Sequence, residues 1–138
     1  MEILFLIGRI LFGALFVGSG IAHLTQSEAM GGYAESKGVK PGRLAVIVSG
    51  LMILVGGVLV ILGIWIDLGA ILVALFLLGA AVLMHSFWKE EDAQAKQLEM
   101  TMFMKDTALL GASLILLYLA WELGDDAGLQ IVEPLFNP

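Results

Sequence analysis

Apolar residues fall in four long runs: Ile3–Leu24, Leu44–Ile64, Leu68–Trp88 and about Met102–Trp121. Each is close to the ~20 residues that a helix needs to cross the hydrocarbon core of a bilayer. No stretch reads as a strand. The pattern predicts an all-α, integral membrane four-helix bundle with antiparallel spans and both termini on the same side. Only Trp65, Ile66 and Asp67 separate the second run from the third, so these two form a tight hairpin. Residues 25–43 and 89–101 form the longer loops, and 122–138 is a tail too short for a fifth span. In the first loop, Gly31-Gly32 and Gly38–Gly42 are breakers around a short turn at Tyr33–Lys37. In the second, Asp92 and Lys96 stand four apart, in the order that supports a solvated helical extension.

Polar and small residues interrupt these runs at helical spacing. In the first, Arg9, Phe16 and His23 recur every seven residues with Gly13 and Gly20 between them, so all share one face. A lipid-facing helix has no reason to stack a guanidinium, two glycines and an imidazole; a face packed on other helices does. Gly50 with Gly57, and Gly56 with Gly63, repeat the small-residue spacing on the second run. Such faces serve packing within the bundle or a homo-oligomer. On the fourth run Lys105, Ala108, Ala112, Ile115, Leu119 and Glu122 alternate by three and four. This stripe is expected to face the Arg9–His23 stripe across an interior cavity lined by the first and fourth spans.

Composition sharpens the class. The chain has 138 residues, 59% hydrophobic and only 14% charged, which places it among membrane proteins as a single domain, residues 1–138. The absence of cysteine removes thiolate nucleophiles, disulfide exchange, cysteine-ligated zinc and iron–sulfur clusters. A net charge of −6 weighs against nucleic acid as a partner. Lys37, Lys40, Arg43, Lys89, Lys96 and Lys105 all fall at the loop side, and Glu2, Asp67, Glu122, Asp125, Asp126 and Glu133 at the other. The positive-inside rule then predicts cytoplasmic loops and extracytoplasmic termini in the cytoplasmic membrane. Trp65 and Trp121 fit the outer interface and Trp88 the inner one.

Two polar clusters emerge from that threading. Toward the outer side, Arg9 lies at a depth near Asp67 and Glu122, which makes these acids its ion-pair candidates. Snorkelling, or a hold on an anionic or carbonyl-bearing ligand, are the other readings for Arg9. Toward the inner side, His23 and His85, the two histidines of the chain, meet Lys105, Asp106 and Gln97. They read as interfacial histidines bonded to carbonyls, lipid or water, as a donor pair for the carbonyl oxygens of a quinone, as a proton relay, or, as the poorer fit, as haem ligands. No metal site is expected: Glu90, Glu91, Asp92 and Glu99 read as a solvated face. Met100, Met102 and Met104 do not share a helix face and read as gap-fillers.

Several motifs are familiar in their order: Gly8-Arg9, Ser19-Gly20 with a basic residue three on, Tyr33 with Lys37-Gly38, and Gly50 followed by Gly56-Gly57. Phe87-Trp88 and Phe103-Met104-Lys105 leading into Ala108-Leu109-Leu110-Gly111 complete the set. From about Gly8 to Tyr118 the chain resembles the DoxX family. The resemblance implies a four-helix membrane protein; some relatives are subunits of a thiosulfate:quinone oxidoreductase, and others accompany redox-defence proteins. Ile53 stands where an acid is common in that family, and Asp106 where asparagine is. A likeness to vitamin K epoxide reductase-like proteins fails chemically, since there is no Cys-x-x-Cys.

The resulting expectation is a membrane component of a quinone-linked redox system. Arg9, His23 and Lys105 bind or orient an apolar redox partner in the bundle interior, and His85 assists. No residue is assigned as catalytic, and electrons require a cofactor or a partner redox subunit. The competing class is non-enzymatic: a lipid- or metabolite-binding transport protein, or an assembly scaffold for a larger membrane complex. A hydrolase fits poorly, because no serine–histidine or paired-carboxylate set shares one face.

Overall fold

The computed structural model describes residues 2–136. The side chain of Asp125 and the last two positions of the 122–138 tail lie outside the described residues. Five α-helices succeed one another: α1 (Glu2–Thr25), α2 (Ser27–Ser36), α3 (Gly42–Leu62), α4 (Ile66–Gly79) and α5 (Ala93–Leu123). With α4 continued through short turns to Lys89, the four long helices are each apolar and long enough to span a bilayer. The described residues contain no strand, so the expected all-α, four-span membrane architecture is the one found.

α1 packs on α3 along the stripe legible in the sequence: Arg9, Gly13, Phe16 and Gly20 are its buried residues. Its glycines meet glycines. Gly13 lies against the Gly57 carbonyl and Gly20 against the Gly50 carbonyl, so the two backbones approach without side chains between them. α3 ends at Gly63, whose φ of 68° closes the helix in the left-handed region that a side chain disfavours. α4 then returns antiparallel, with Gly56 and Gly69 in reciprocal contact.

Two local expectations are corrected. Gly31-Gly32 do not break the chain; they lie inside α2, where Gly31 sits against the Arg43 backbone and the expected turn is the end of this helix. The buried stripe of α5 is Glu99, Asp106, Ser113, Leu116 and Ala120, whereas Lys105, Ala108, Ile115 and Glu122 are exposed. The acids point inward because they find partners there, which hydropathy alone does not reveal.

α4 does not end cleanly. Ala80–Met84 form a π-turn, closed by the His85 N–H donating to the Ala80 carbonyl at 3.1 Å. Such turns concentrate at functional sites because the extra residue re-aims the side chains beyond it. Here the next residue is His85. A 3-10 turn at Phe87–Lys89 then packs Phe87 and Trp88 edge-on against Phe103, and Asp92 caps α5 by accepting from the Ala95 N–H at 2.8 Å.

Candidate functional site

At the loop end of the bundle, a cavity of about 620 Å³ lies among α1, α3, α4 and α5 with α2 across it. That size falls within the range of small-molecule sites. Its walls are mostly apolar, with Leu15, Phe16, Met52, Phe76, Leu77 and Leu109 among them, and α2 contributes Ala29 and Met30. The polar lining consists of Ser19, His23, Tyr33, Ser49, His85, Lys105 and Asp106. All five helices therefore line it, not α1 and the last span alone.

Glu99 organises one wall. It is 7% exposed and holds three partners from other elements. The Tyr33 hydroxyl donates to its Oε1 at 2.8 Å, and the Lys37 ammonium reaches the same oxygen at 3.1 Å. His85 donates from Nδ1 to its Oε2 at 2.7 Å. Lys37 also donates to Glu90 at 2.7 Å. On the other side of the imidazole, Nε2 stands 3.7 Å from the buried Asp106 carboxylate, which Lys105 approaches to 3.3 Å. Burial, reinforced by the bond to Glu99, pushes the Tyr33 phenol up. The Lys37 ammonium is held above its usual range, chiefly by its hydrogen bond to Glu90. Glu90 and Glu99 are thus part of a partly buried network and not of the solvated face expected of them.

His23 faces the cavity from α1. Its Nδ1–H donates to the Ser19 carbonyl one turn earlier at 2.7 Å, and its ring lies edge-on to Phe76. Gly50 makes room behind it, since a methyl there would meet His23 Cβ at 2.6 Å.

Arg9 lies away from this cavity. It is 1% exposed, its guanidinium stacks on Phe5, and it donates to the Leu129 carbonyl at 2.7 Å and the Gly128 carbonyl at 3.5 Å. The expected ion pairs with Asp67 and Glu122 do not form. Asp67 accepts instead from the backbone N–H groups of Leu135 and Phe136 at 2.9 and 2.6 Å, and Glu122 is exposed. The tail folds back over this end of the bundle, with Ile131 and Val132 donating to the Gly63 carbonyl. Backbone groups of the tail bond both buried charges, Asp67 through both oxygens and Arg9 through its two terminal nitrogens, while the buried Arg9 Nε has no hydrogen-bond partner among the described residues.

Residues 4–86 match the DoxX family, which is more than half of the chain. The chain belongs to the DoxX family. No curated protein and no solved structure matches it significantly. The family match takes in His23, Tyr33, Lys37 and His85 of this DoxX protein. It stops before α5, which supplies Glu99, Lys105 and Asp106.

Three of the four ligand-binding candidates, His23, His85 and Lys105, line one cavity in the DoxX chain. Arg9 does not join them. Sequence reasoning does not single out Tyr33 or Glu99 for this site, although a signal exists: Glu99, Asp106, Ser113 and Ala120 recur every seven residues, the spacing that marks the buried face of α1.

Proposed function

We propose that this DoxX protein is a membrane component of a quinone-linked redox system, and that the loop-end cavity holds the apolar redox partner. One observation carries the reading: an apolar cavity of about 620 Å³ within a membrane bundle, with two imidazoles among its few polar lining groups. Apolar walls suit a hydrophobic body, and a small number of fixed polar groups orient its head. His23 takes the orienting role from α1, and Lys105 stands at the rim, its side chain 52% exposed. Glu99 holds His85 in place, so that its ring is fixed between two carboxylates. Bound there, a quinone supplies the electron and proton chemistry that no side chain of this chain can; electrons come from a partner subunit. Arg9 stands outside this site. Six cations at the loop end support placing that end in the cytoplasm and the chain in the cytoplasmic membrane.

The test is mass spectrometry of the organic extract from gently purified protein, beside the His23→Ala and His85→Ala variants. A quinone near one per chain, diminished in both variants, is the expected result. Bulk phospholipid alone in all three refutes the site and favours a lipid-binding protein.

A further inference from the structure

We infer that this cavity selects the reduced, hydroxyl-bearing form of its ligand, a hydroquinone over the parent quinone. The inference rests on the proposed quinone site and adds to it a census of hydrogens. A carbonyl oxygen can only accept, so the 2.7 Å contact to Ser19 fixes the His23 proton on Nδ1. In the neutral ring, Nε2 is then a lone pair, and it has no hydrogen-bond partner among the described residues. Ser49 likewise gives its hydroxyl hydrogen to the Val46 carbonyl at 3.2 Å. Tyr33 gives its own to Glu99.

In its neutral ring His85 adds no donor: its Nδ1–H goes to Glu99, and its Nε2, 3.7 Å from Asp106 and beyond hydrogen-bond reach, is a lone pair. The hydrogens left to offer are those of the Ser19 hydroxyl and of Lys105 at the rim. The polar lining is therefore rich in acceptors. A quinone brings two carbonyl acceptors and would set lone pair against lone pair at His23, in surroundings where an unmade hydrogen bond is expensive. A hydroquinone brings an O–H to each end of its ring and converts that contact into a bond. Tighter binding of the reduced member also raises the reduction potential of the bound couple.

The experiment is anaerobic equilibrium dialysis of duroquinone and durohydroquinone against the protein in lipid nanodiscs, with empty nanodiscs as the partition blank. It is run at about pH 8, above the usual imidazole range. Durohydroquinone is expected to bind on the order of tenfold more tightly, the ratio that one net hydrogen bond gives. His23→Phe should bring the ratio toward one, by weakening durohydroquinone binding about tenfold more than duroquinone binding. His23→Gln, which keeps a carbonyl acceptor, should preserve most of the preference. Equal or tighter binding of duroquinone to the wild type, or a ratio that His23→Phe leaves unmoved, overturns the selectivity. If neither compound binds above the blank, the quinone site itself falls and the selectivity with it.

Discussion

Gly20→Ala tests the packing that places His23. A methyl at Gly20 would lie 2.7 Å from Leu54 Cβ and 2.9 Å from both the Leu54 nitrogen and the Gly50 carbonyl. None of these atoms sits at the end of a flexible side chain, so α1 and α3 must part. Restoring ordinary contact needs a separation of about 0.7 Å, which forfeits roughly a quarter or more of the dispersion energy of each contact along the seam. Overpacking of this kind costs about 1–3 kcal/mol. Alanine returns about 1 kcal/mol of helix propensity, leaving a net loss of up to about 2 kcal/mol. Gly18 is the internal control: two residues away on the same helix, a methyl there meets nothing within 4 Å. Gly18→Ala should be neutral or gain up to about 1 kcal/mol. Thermal unfolding of both variants in nanodiscs, followed by circular dichroism, gives the comparison. Equal midpoints for Gly18→Ala and Gly20→Ala would refute the claim that backbone contact holds α1 on α3.

Two further perturbations probe the charged groups. Glu99→Gln removes the charge shared by Tyr33, Lys37 and His85 and is expected to destabilise by about 1.5–3 kcal/mol, as for other hydrogen bonds to charged groups. In a Tyr118→Phe background, the same change should lower the pH at which the Tyr33 phenol ionises, because the Glu99 carboxylate helps to push it up; ultraviolet titration reads this, and an unmoved curve counts against the network. Asp67→Asn keeps one acceptor oxygen for the N–H groups of Leu135 and Phe136 and sets an amide N–H₂ against the other. Protease sensitivity of the tail should rise, by a loss of about 1–3 kcal/mol in docking free energy; unchanged digestion would contradict the pairing.

The spans are legible in the sequence because lipid imposes a length and a composition that few other environments demand. The α1 face is legible for a related reason: glycines at seven-residue spacing have little purpose except close approach. The features that stay hidden depend on partners. Asp106 is placed beside the histidines by the threading, but Glu99, one heptad earlier, reads as a solvent-facing carboxylate unless His85, Lys37 and Tyr33 are known to converge on it. Arg9 announces its burial and its need for partners. Those partners are backbone carbonyls of the tail, and a carbonyl belongs to every residue, so no side-chain pattern points to it. α2 hides behind its glycines, which pack instead of bending the chain: Gly31 lies against the Arg43 backbone, where a side chain would not fit.

The fastening of Arg9 to the tail also bears on biosynthesis. The guanidinium and the carbonyl of Leu129 that accepts from it are 120 residues apart in the chain. During synthesis α1 enters the membrane with this charge unsatisfied, a penalty of about 2.5–3.5 kcal/mol on insertion scales for arginine at mid-helix and less nearer the end. The stabilising carbonyls leave the ribosome only after all four spans. Asp67 waits in the same way for the N–H groups of Leu135 and Phe136. Closing this end of the bundle is therefore a late event, and a nascent chain stalled after α5 would carry two unsatisfied charges that a membrane quality-control protease could recognise.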